Sequence, residues 1–270
     1  GQFLQACELV RNGAIGKVHH IEVGLPDGAD SPTISSFPQP PAELDWNQWV
    51  GPAPRVPYHP SRCHGSWRWW LDFGGGQLMD WVGHHGDIAH MGMGWDTTGP
   101  VRIKPLVWDV PEKGNLYNAA INYNFLSTYA DGVTMNVGNM RVMPEVFSKH
   151  GDTGTMWFGE NGRWIWVSRG GIRANPDSLL KTRIGGSDFR FYRAPGGHHG
   201  DFLESIVTRR DPIAHAEAGH RSASIGHLGM IACKLSATLT WDPVQEQFAG
   251  NEAANRLLGR ASRGIWSQYM

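Results

Sequence analysis

The spacing of hydrophobic residues changes twice along this chain. Near the N-terminus, Phe3, Cys7 and Val10 recur at helical spacing, and Asn12-Gly13 follows as a signal that ends a helix. Apolar runs bounded by turn residues fill the middle, and helical spacing returns in the last third of the chain. Because side chains repeat every 3.6 residues in a helix and every two in a strand, the pattern predicts helices at both ends and strands between them.

The individual runs place these elements along the chain. The predicted strands are 18–25, 101–110, 119–130, 133–142, 155–158 and 163–168. The predicted helices are 3–12, 44–50, the segment after the glycines at 74–76, 202–207 and 225–239. Asp131-Gly132 predicts a hairpin turn between two of the strands. This order favours an α+β fold, with an open, mostly antiparallel β-sheet and helices packed on one face.

Residues 26–60 interrupt the pattern with a proline-rich loop. The segment holds nine of the 17 prolines of the chain. Loops of this length are uncommon inside a compact domain and are often functional. We therefore expect this loop to border a binding cleft.

The last predicted hairpin is apolar on both of its sides. Trp164 and Trp166 alternate with Ile165 and Val167, so both faces of this strand should be buried. Helices on one face of a sheet leave the other face uncovered, and an exposed aromatic face usually marks an interface. We therefore expect this face of the sheet to be an interface.

Composition and charge exclude several classes of partner. The net charge of −1 and the pI near 7.0 argue against nucleic acid and against a basic membrane-binding surface. No apolar run approaches the length of a transmembrane helix. The three cysteines are widely separated and form no Cys-x-x-Cys, so neither a zinc knuckle nor a dense disulfide scaffold is indicated.

The strongest candidate chemistry lies in the helix that follows the glycines at 74–76. Asp80, His84 and Asp87 are spaced by four and three residues, which places them within about 60° on one helical face. An imidazole and a carboxylate on one face can act together as a general acid and base. His85 points to the opposite side and is expected to be a hydrogen-bonded core residue. That side also carries an apolar stripe of Leu78, Val82, Ala89 and Met93.

Two other interpretations of these residues remain open at this point. Asp80 and His84 could form an ordinary helix salt bridge, worth about 0.2–0.5 kcal/mol. His84 with Asp80 or Asp87, joined by His64 or His199, could instead hold a metal ion. None of these spacings is diagnostic of a metal site, so we expect no metal.

The motif of glycines, Asp80, His84 and Asp87 resembles the signature of the Gfo/Idh/MocA oxidoreductases, the glucose–fructose oxidoreductase and inositol dehydrogenase family. The resemblance lies in the C-terminal, substrate-binding domain, and it is closest to the bacterial branch with Arg68-Trp69-Trp70 ahead of the glycines. Other segments that resemble this domain are 9–17 near its start and 219–223, 239–243 and 251–258 in its closing helices.

The resemblance implies an NAD(P)-dependent oxidoreductase that acts on a hydroxyl of a sugar, sugar acid or cyclitol. By carry-over, His84 would take or return the hydroxyl proton and Asp80 would orient or assist it. Arg68 and Trp69 are expected to bind the substrate, since sugars suit a planar donor beside an aromatic face. Asp87 is expected among the substrate-binding residues, in a supporting role in which it caps a neighbouring loop or tunes His84. Some relatives use the same hydride step to cleave a glycosidic bond. Members of the family commonly pair through the sheet, so the resemblance also implies a homodimer, or a tetramer, formed through the sheet face.

The residues that would bind the cofactor are expected outside this sequence. No Gly-x-Gly-x-x-Gly follows a strand, and Ile103-Lys104-Pro105 lacks the glutamate of the family's Glu-Lys-Pro motif. Residues 1–270 are therefore expected to form one substrate-binding and oligomerisation domain, with a cofactor-binding domain upstream. Alone, this segment should be inactive and should not bind NAD(P). The alternative is a stand-alone carbohydrate-binding or oligomerisation module.

The resemblance to the Arg-Trp-Trp branch also bears on the compartment. It favours an exported protein over a cytoplasmic one.

Overall fold

The fold is built on one mixed sheet. The computed structural model describes residues 1–33, 36–143, 147, 153–264 and 266. Within them nine strands form the order β7-β6-β5-β1-β4-β3-β2-β8-β9. These strands are β1 (His20–Leu25), β2 (Arg102–Asp109), β3 (Asn122–Thr128), β4 (Thr134–Asn139), β5 (Gly154–Phe158), β6 (Trp164–Ser168), β7 (Gly171–Asn175), β8 (Leu239–Asp242) and β9 (Gln247–Phe248).

Three long helices cover one face of this sheet. The α-helices of the described residues are α1 (Gln2–Arg11), α2 (Trp46–Val50), α3 (Gly76–Met93), α4 (Gly197–Thr208), α5 (Ala216–Leu235) and α6 (Glu252–Asn255). The three that cover the sheet are α1, α3 and α5. The long central helix α3 lies between α1 and α5 and packs on β1 and β5, while α1 covers β6 and β7 and α5 covers β2 and β3. The layer forms because each of these helices turns an apolar side to the strands.

Strand pairing confirms the α+β prediction. β1 and β4 run parallel, and every other pair in the sheet is antiparallel. Five of the six predicted strands occur with shorter ends, and β5 begins one residue before its predicted start, while β7, β8 and β9 were not predicted. Leu239, which we assigned to a helix, begins β8, because Ser236 takes a left-handed conformation (φ 47) and ends α5 before it.

The main core lies between the helices and the inner face of the sheet. Ile21, Trp157 and Ile165 are fully buried there, against Leu78 and Val82 of α3. These two residues belong to the apolar stripe predicted for α3. The docking of that stripe fixes which face of α3 remains for chemistry.

The outer face of the sheet is not uniformly uncovered, which corrects one expectation. Met143 and Phe147, which follow β4, pack on Met156 and Trp166 and bury them. They fit because the neighbouring strands carry glycine at this point. A Cβ on Gly24 would meet the Phe147 ring at 2.6 Å. Both faces of β6 thus carry buried residues: Ile165 and Val167 lie in the main core, and Trp166 is covered on the outer face by Met143 and Phe147 of the same chain.

Candidate functional site

A cavity of about 740 Å³ lies where the N-terminal end of α3 approaches α5. Residues 74–76, Met79 and Asp80 line one wall. The opposite wall belongs to α5, and the segment that carries Leu257 and Arg260 closes a third side. Elements that are distant in the sequence thus meet at one opening.

The glycines at 74–76 allow the chain to turn closely into α3. A Cβ on Gly74 would lie 2.8 Å from the backbone of Arg68, and one on Gly76 would lie 2.7 Å from the Cβ of Ala119. Gly76 also takes φ +70, a left-handed conformation that glycine adopts most easily. These glycines are explained by close packing within the domain.

Asp80 faces the cavity and pairs with Arg68. The Arg68 Nε donates to Asp80 Oδ1 at 3.2 Å, and both side chains are about one third exposed. Arg68 also donates to the Gly65 carbonyl at 2.6 Å, which holds its guanidinium in place. No hydrogen bond or ion pair joins Asp80 to His84 in the described part of the chain. The ordinary helix salt bridge is therefore not the arrangement found here.

His84 lies one helical turn beyond Asp80 and is exposed. Its ring meets the Trp81 ring at 5.4 Å and 74°, and it is not among the residues that line the cavity. Only Asp80 of the predicted catalytic pair thus reaches the cavity wall, while His84 stands on the open surface beside it.

Asp87 connects α3 to α5 and does not line the cavity. Its Oδ1 accepts a hydrogen bond from the Ser222 hydroxyl at 2.6 Å. Burial raises the pKa of Asp87, while the Ser222 hydroxyl and, more weakly, His84 act in the opposite direction. Asp87 thus joins two helices outside the cavity wall, which does not match its assignment as a substrate-binding residue.

Of the two tryptophans beside Arg68, Trp67 lines the cavity, together with the distant Trp241, whereas we had named Trp69. Trp69 is half-buried, and its carbonyl accepts the backbone N–H groups of Asn118 and Ala119. Both tryptophans flank the Arg68 guanidinium at 5.8 Å. They alternate along the short 3-10 helix that carries them, so only the packing of that helix decides which one faces the opening.

His85 occupies the core, as expected. The residue is 1% exposed and lies near the rings of Phe3 and Trp81. Thr155 Oγ1 donates to its backbone carbonyl at 2.6 Å, which ties α3 to β5.

The wall formed by α5 was not predicted. His220, Ser224 and His227 line the cavity at helical spacing, four and three residues apart. Glu246 accepts from His220 Nε2 at 2.7 Å and is also paired with Arg221 at 2.9 Å. A polar stripe within this apolar helix was the available signal.

His227 has a perturbed titration. Its ring lines the cavity. Desolvation by the surrounding protein lowers the pKa of His227, and the charges of Arg260 and His220 lower it further. The cavity therefore holds a carboxylate on one wall and an imidazole that favours its neutral form on the other.

The described residues of the proline-rich segment, 26–33 and 36–60, do not line this cavity. They line a second depression of about 430 Å³, which shares Trp67 and Phe73 with the cavity. Our expectation that residues 26–60 border the site itself was wrong: they border the depression, and the Trp67 and Phe73 side chains lie between the depression and the cavity.

Among the described residues, no group of three or more His, Cys, Asp or Glu side chains is placed to hold a metal ion. In the same residues, every helix is too short or too polar to cross a membrane.

A family model decides the relationship of the chain. The model for the C-terminal alpha/beta domain of the Gfo/Idh/MocA oxidoreductase family matches residues 33–159 and 187–268. The chain belongs to this family. The unmatched residues 160–186 contain β6 and β7, so the aromatic edge of the sheet lies outside the shared pattern.

Solved structures share the fold of this Gfo/Idh/MocA domain. The chain is similar to aldose-aldose oxidoreductase from Caulobacter crescentus complexed with glycerol, with a TM-score of 0.53 and 17% identity over 88% of this chain and 60% of that one. It is also similar to an oxidoreductase from Thermotoga maritima, with a TM-score of 0.51 and 17% identity over 88% of this chain and 58% of that one. The chain thus spans about three fifths of the length of these proteins. No curated protein matches the sequence.

Proposed function

We propose that this domain is the substrate-binding and catalytic half of an NAD(P)-dependent oxidoreductase that acts on a hydroxyl of a sugar, sugar acid or cyclitol. The observation that carries the proposal is the Asp80 carboxylate. It lies at the position of the family motif, held by Arg68 at 3.2 Å and facing the cavity. In this proposal residues 1–270 form one substrate-binding and oligomerisation domain.

The walls of the cavity have the chemistry that a polyhydroxylated ring requires. Asp80 offers an acceptor, and the neutral His227 ring offers one nitrogen that donates and one that accepts. The Ser224 hydroxyl donates its proton to the His220 carbonyl at 2.8 Å and offers the ligand only an acceptor. Trp67 and Leu228 supply apolar surface between them. A pocket with a few placed polar groups on apolar walls orients a small ligand.

The two candidate catalytic residues would divide the handling of one proton. Asp80 would accept the hydrogen bond of the reacting hydroxyl and keep it oriented. His84, which is exposed one turn further along α3, would exchange that proton with solvent.

The hydride chemistry belongs to NAD(P), which we assign to a part of the enzyme outside this sequence. The glycines at 74–76 do not fit its pyrophosphate, because the space beside Gly74 and Gly76 is filled by Arg68 and Ala119 of the domain itself. Cleavage of a glycosidic bond assisted by the same redox step would use the same residues of this chain.

The test introduces Asp80→Asn and His84→Asn separately into the full-length protein, purified from its native source or expressed from its complete gene. Each variant should lower the rate of sugar-dependent NAD(P)⁺ reduction by about 10²-fold or more, because each removes an acid or base group. Glu252→Gln is the matched control: Glu252 is also a helical carboxylate near an arginine, Arg256 at 3.8 Å, but it lies outside the cavity.

Two results would contradict the proposal. Full activity of Asp80→Asn would remove the site assignment. Sugar binding that depends on Asp80, in a protein that never reduces NAD(P)⁺, would favour the stand-alone carbohydrate-binding module.

A further inference from the structure

The depression beside the cavity has a composition unlike an ordinary surface groove. Trp49 of the proline-rich segment faces it together with Trp67, Phe73, His64 and Asp72. Trp67 and Phe73 also line the cavity, so the two spaces are separated by no more than these side chains. A molecule bound at Asp80 would therefore lie beside the depression, with the Trp67 and Phe73 side chains between them.

The aromatic wall of the depression is rigid before any ligand binds. The Trp49 ring stacks on Trp46 at 4.9 Å and 13°, and it meets the Phe73 ring at 5.0 Å and 73°. These contacts hold Trp49 in one orientation. A wall that is already ordered loses little conformational entropy on binding.

Polar groups at the rim complete the site. In the described residues, no protein group hydrogen-bonds the His64 ring or the Asp72 carboxylate. Arg260 donates to the backbone carbonyl of Asp72, and the Asp72 charge interacts with Arg62 and Lys234 without a hydrogen bond. Both the His64 ring and the Asp72 carboxylate are free to bind hydroxyl groups. Aromatic faces with hydroxyl-binding groups at their edge match a sugar ring, which presents C–H groups on its face and hydroxyls around its rim.

Two features of the depression are unfavourable without a ligand. Trp67 is 39% exposed although it is a large apolar side chain. His64 holds a left-handed backbone conformation, with φ 50, that a non-glycine residue rarely adopts. Strain of this kind persists mostly at functional sites.

We infer that the substrate is a glycoside of at least two sugar rings, one bound at Asp80 and the next in the depression on Trp67, Trp49 and Phe73. The inference rests on the proposed function and deepens it. It excludes a free monosaccharide or cyclitol as the preferred substrate, because neither would reach the depression.

Binding of paired sugars to the 270-residue chain tests this inference. The probes are glucose, galactose, mannose and xylose, their methyl glycosides, and cellobiose, maltose, lactose, mannobiose and xylobiose, measured by ligand-observed NMR and calorimetry. At least one disaccharide should bind about tenfold tighter than both its monosaccharide and its methyl glycoside, which is the gain expected from one ring stacked on aromatic side chains.

Variants separate the two spaces. Trp49→Ala and His64→Gly should reduce this gain to less than threefold and leave monosaccharide binding unchanged. Glycine adopts the backbone conformation of position 64 readily, so the His64 variant keeps the fold even if the Trp49 variant does not. Asp80→Asn should weaken both ligands, and Phe202→Ala, which removes an exposed aromatic ring on α4, should weaken neither.

Each outcome decides between the two proposals. Equal binding of disaccharide, methyl glycoside and monosaccharide, with Asp80→Asn weakening them all, would overturn the second subsite and leave the proposed function standing. Failure of every sugar to bind would count against the proposed function, and the subsite would fall with it. A preserved gain in His64→Gly and Trp49→Ala would place the second ring elsewhere.

Discussion

Burial of His90 makes the stability of the domain depend on pH at the scale of a single residue. Its Nε2 lies 2.6 Å from the Tyr129 hydroxyl, and burial lowers its pKa to about 3, with Arg221 adding to the effect. The unfolded chain, with a pKa near 6.5, binds a proton at mild acidity that the folded protein does not. The free energy of unfolding is therefore highest above pH 6.5, where His90 is neutral in both states, and it decreases as the pH falls from 6.5 towards 3.

His90→Gln removes this proton linkage. Between pH 6.5 and pH 5, the wild-type free energy of unfolding should fall by about 2 kcal/mol more than that of the variant, from about 1.4 kcal/mol for each pH unit. Urea denaturation at both pH values measures the difference. Equal slopes for the two proteins would show that His90 is not held neutral.

At the scale of an element, two glycines of α3 have opposite significance. A Cβ on Gly92 would lie 2.6 Å from the Trp157 ring, where α3 crosses β5, while a Cβ on Gly83 would meet nothing within 4 Å. Gly92→Ala should therefore lower the free energy of unfolding by about 1–3 kcal/mol through overpacking. Gly83→Ala should raise it by roughly 0.5–1 kcal/mol through helix propensity.

Chemical denaturation of both variants checks this pair, and each variant is the control for the other. The result depends on the contact between α3 and the sheet and not on the general effect of alanine in a helix. Stabilisation by both substitutions would mean that α3 does not approach β5 closely at Gly92.

For the whole molecule, the outer face of the sheet remains our proposed site of self-association. Phe158 and Trp164 stay half-buried at the edge of the cluster that Met143 and Phe147 cover. We expect at least a dimer at micromolar concentration, and Phe158→Lys should dissociate it because a charge would then face the partner.

Sedimentation velocity of the wild type, Phe158→Lys and Val207→Lys tests this surface. Val207 is 83% exposed on the apolar side of α4, so its variant reports on the other exposed apolar surface. A monomeric wild type would refute the proposal. Dissociation by Val207→Lys alone would move the interface to α4.

Much of the local structure could be predicted from the sequence because it depends on near neighbours. Asp131-Gly132 predicts the turn between β3 and β4, and the apolar stripe of α3 predicts the side that is buried. The ends of strands were less predictable. β8 and β9 are short and pair only at the edge of the sheet, so they have no long periodic run.

Some features of the candidate site follow from the sequence alone, and others depend on the tertiary structure. The sequence alone determined that α3 begins after three glycines and carries Asp80, His84 and Asp87 on one side, because helical spacing is a local property. Only the tertiary structure decided that Asp80 faces a cavity, that His84 stays outside it and that Asp87 joins α5. Those positions depend on how α5 and the C-terminal segment, more than a hundred residues away, pack against α3.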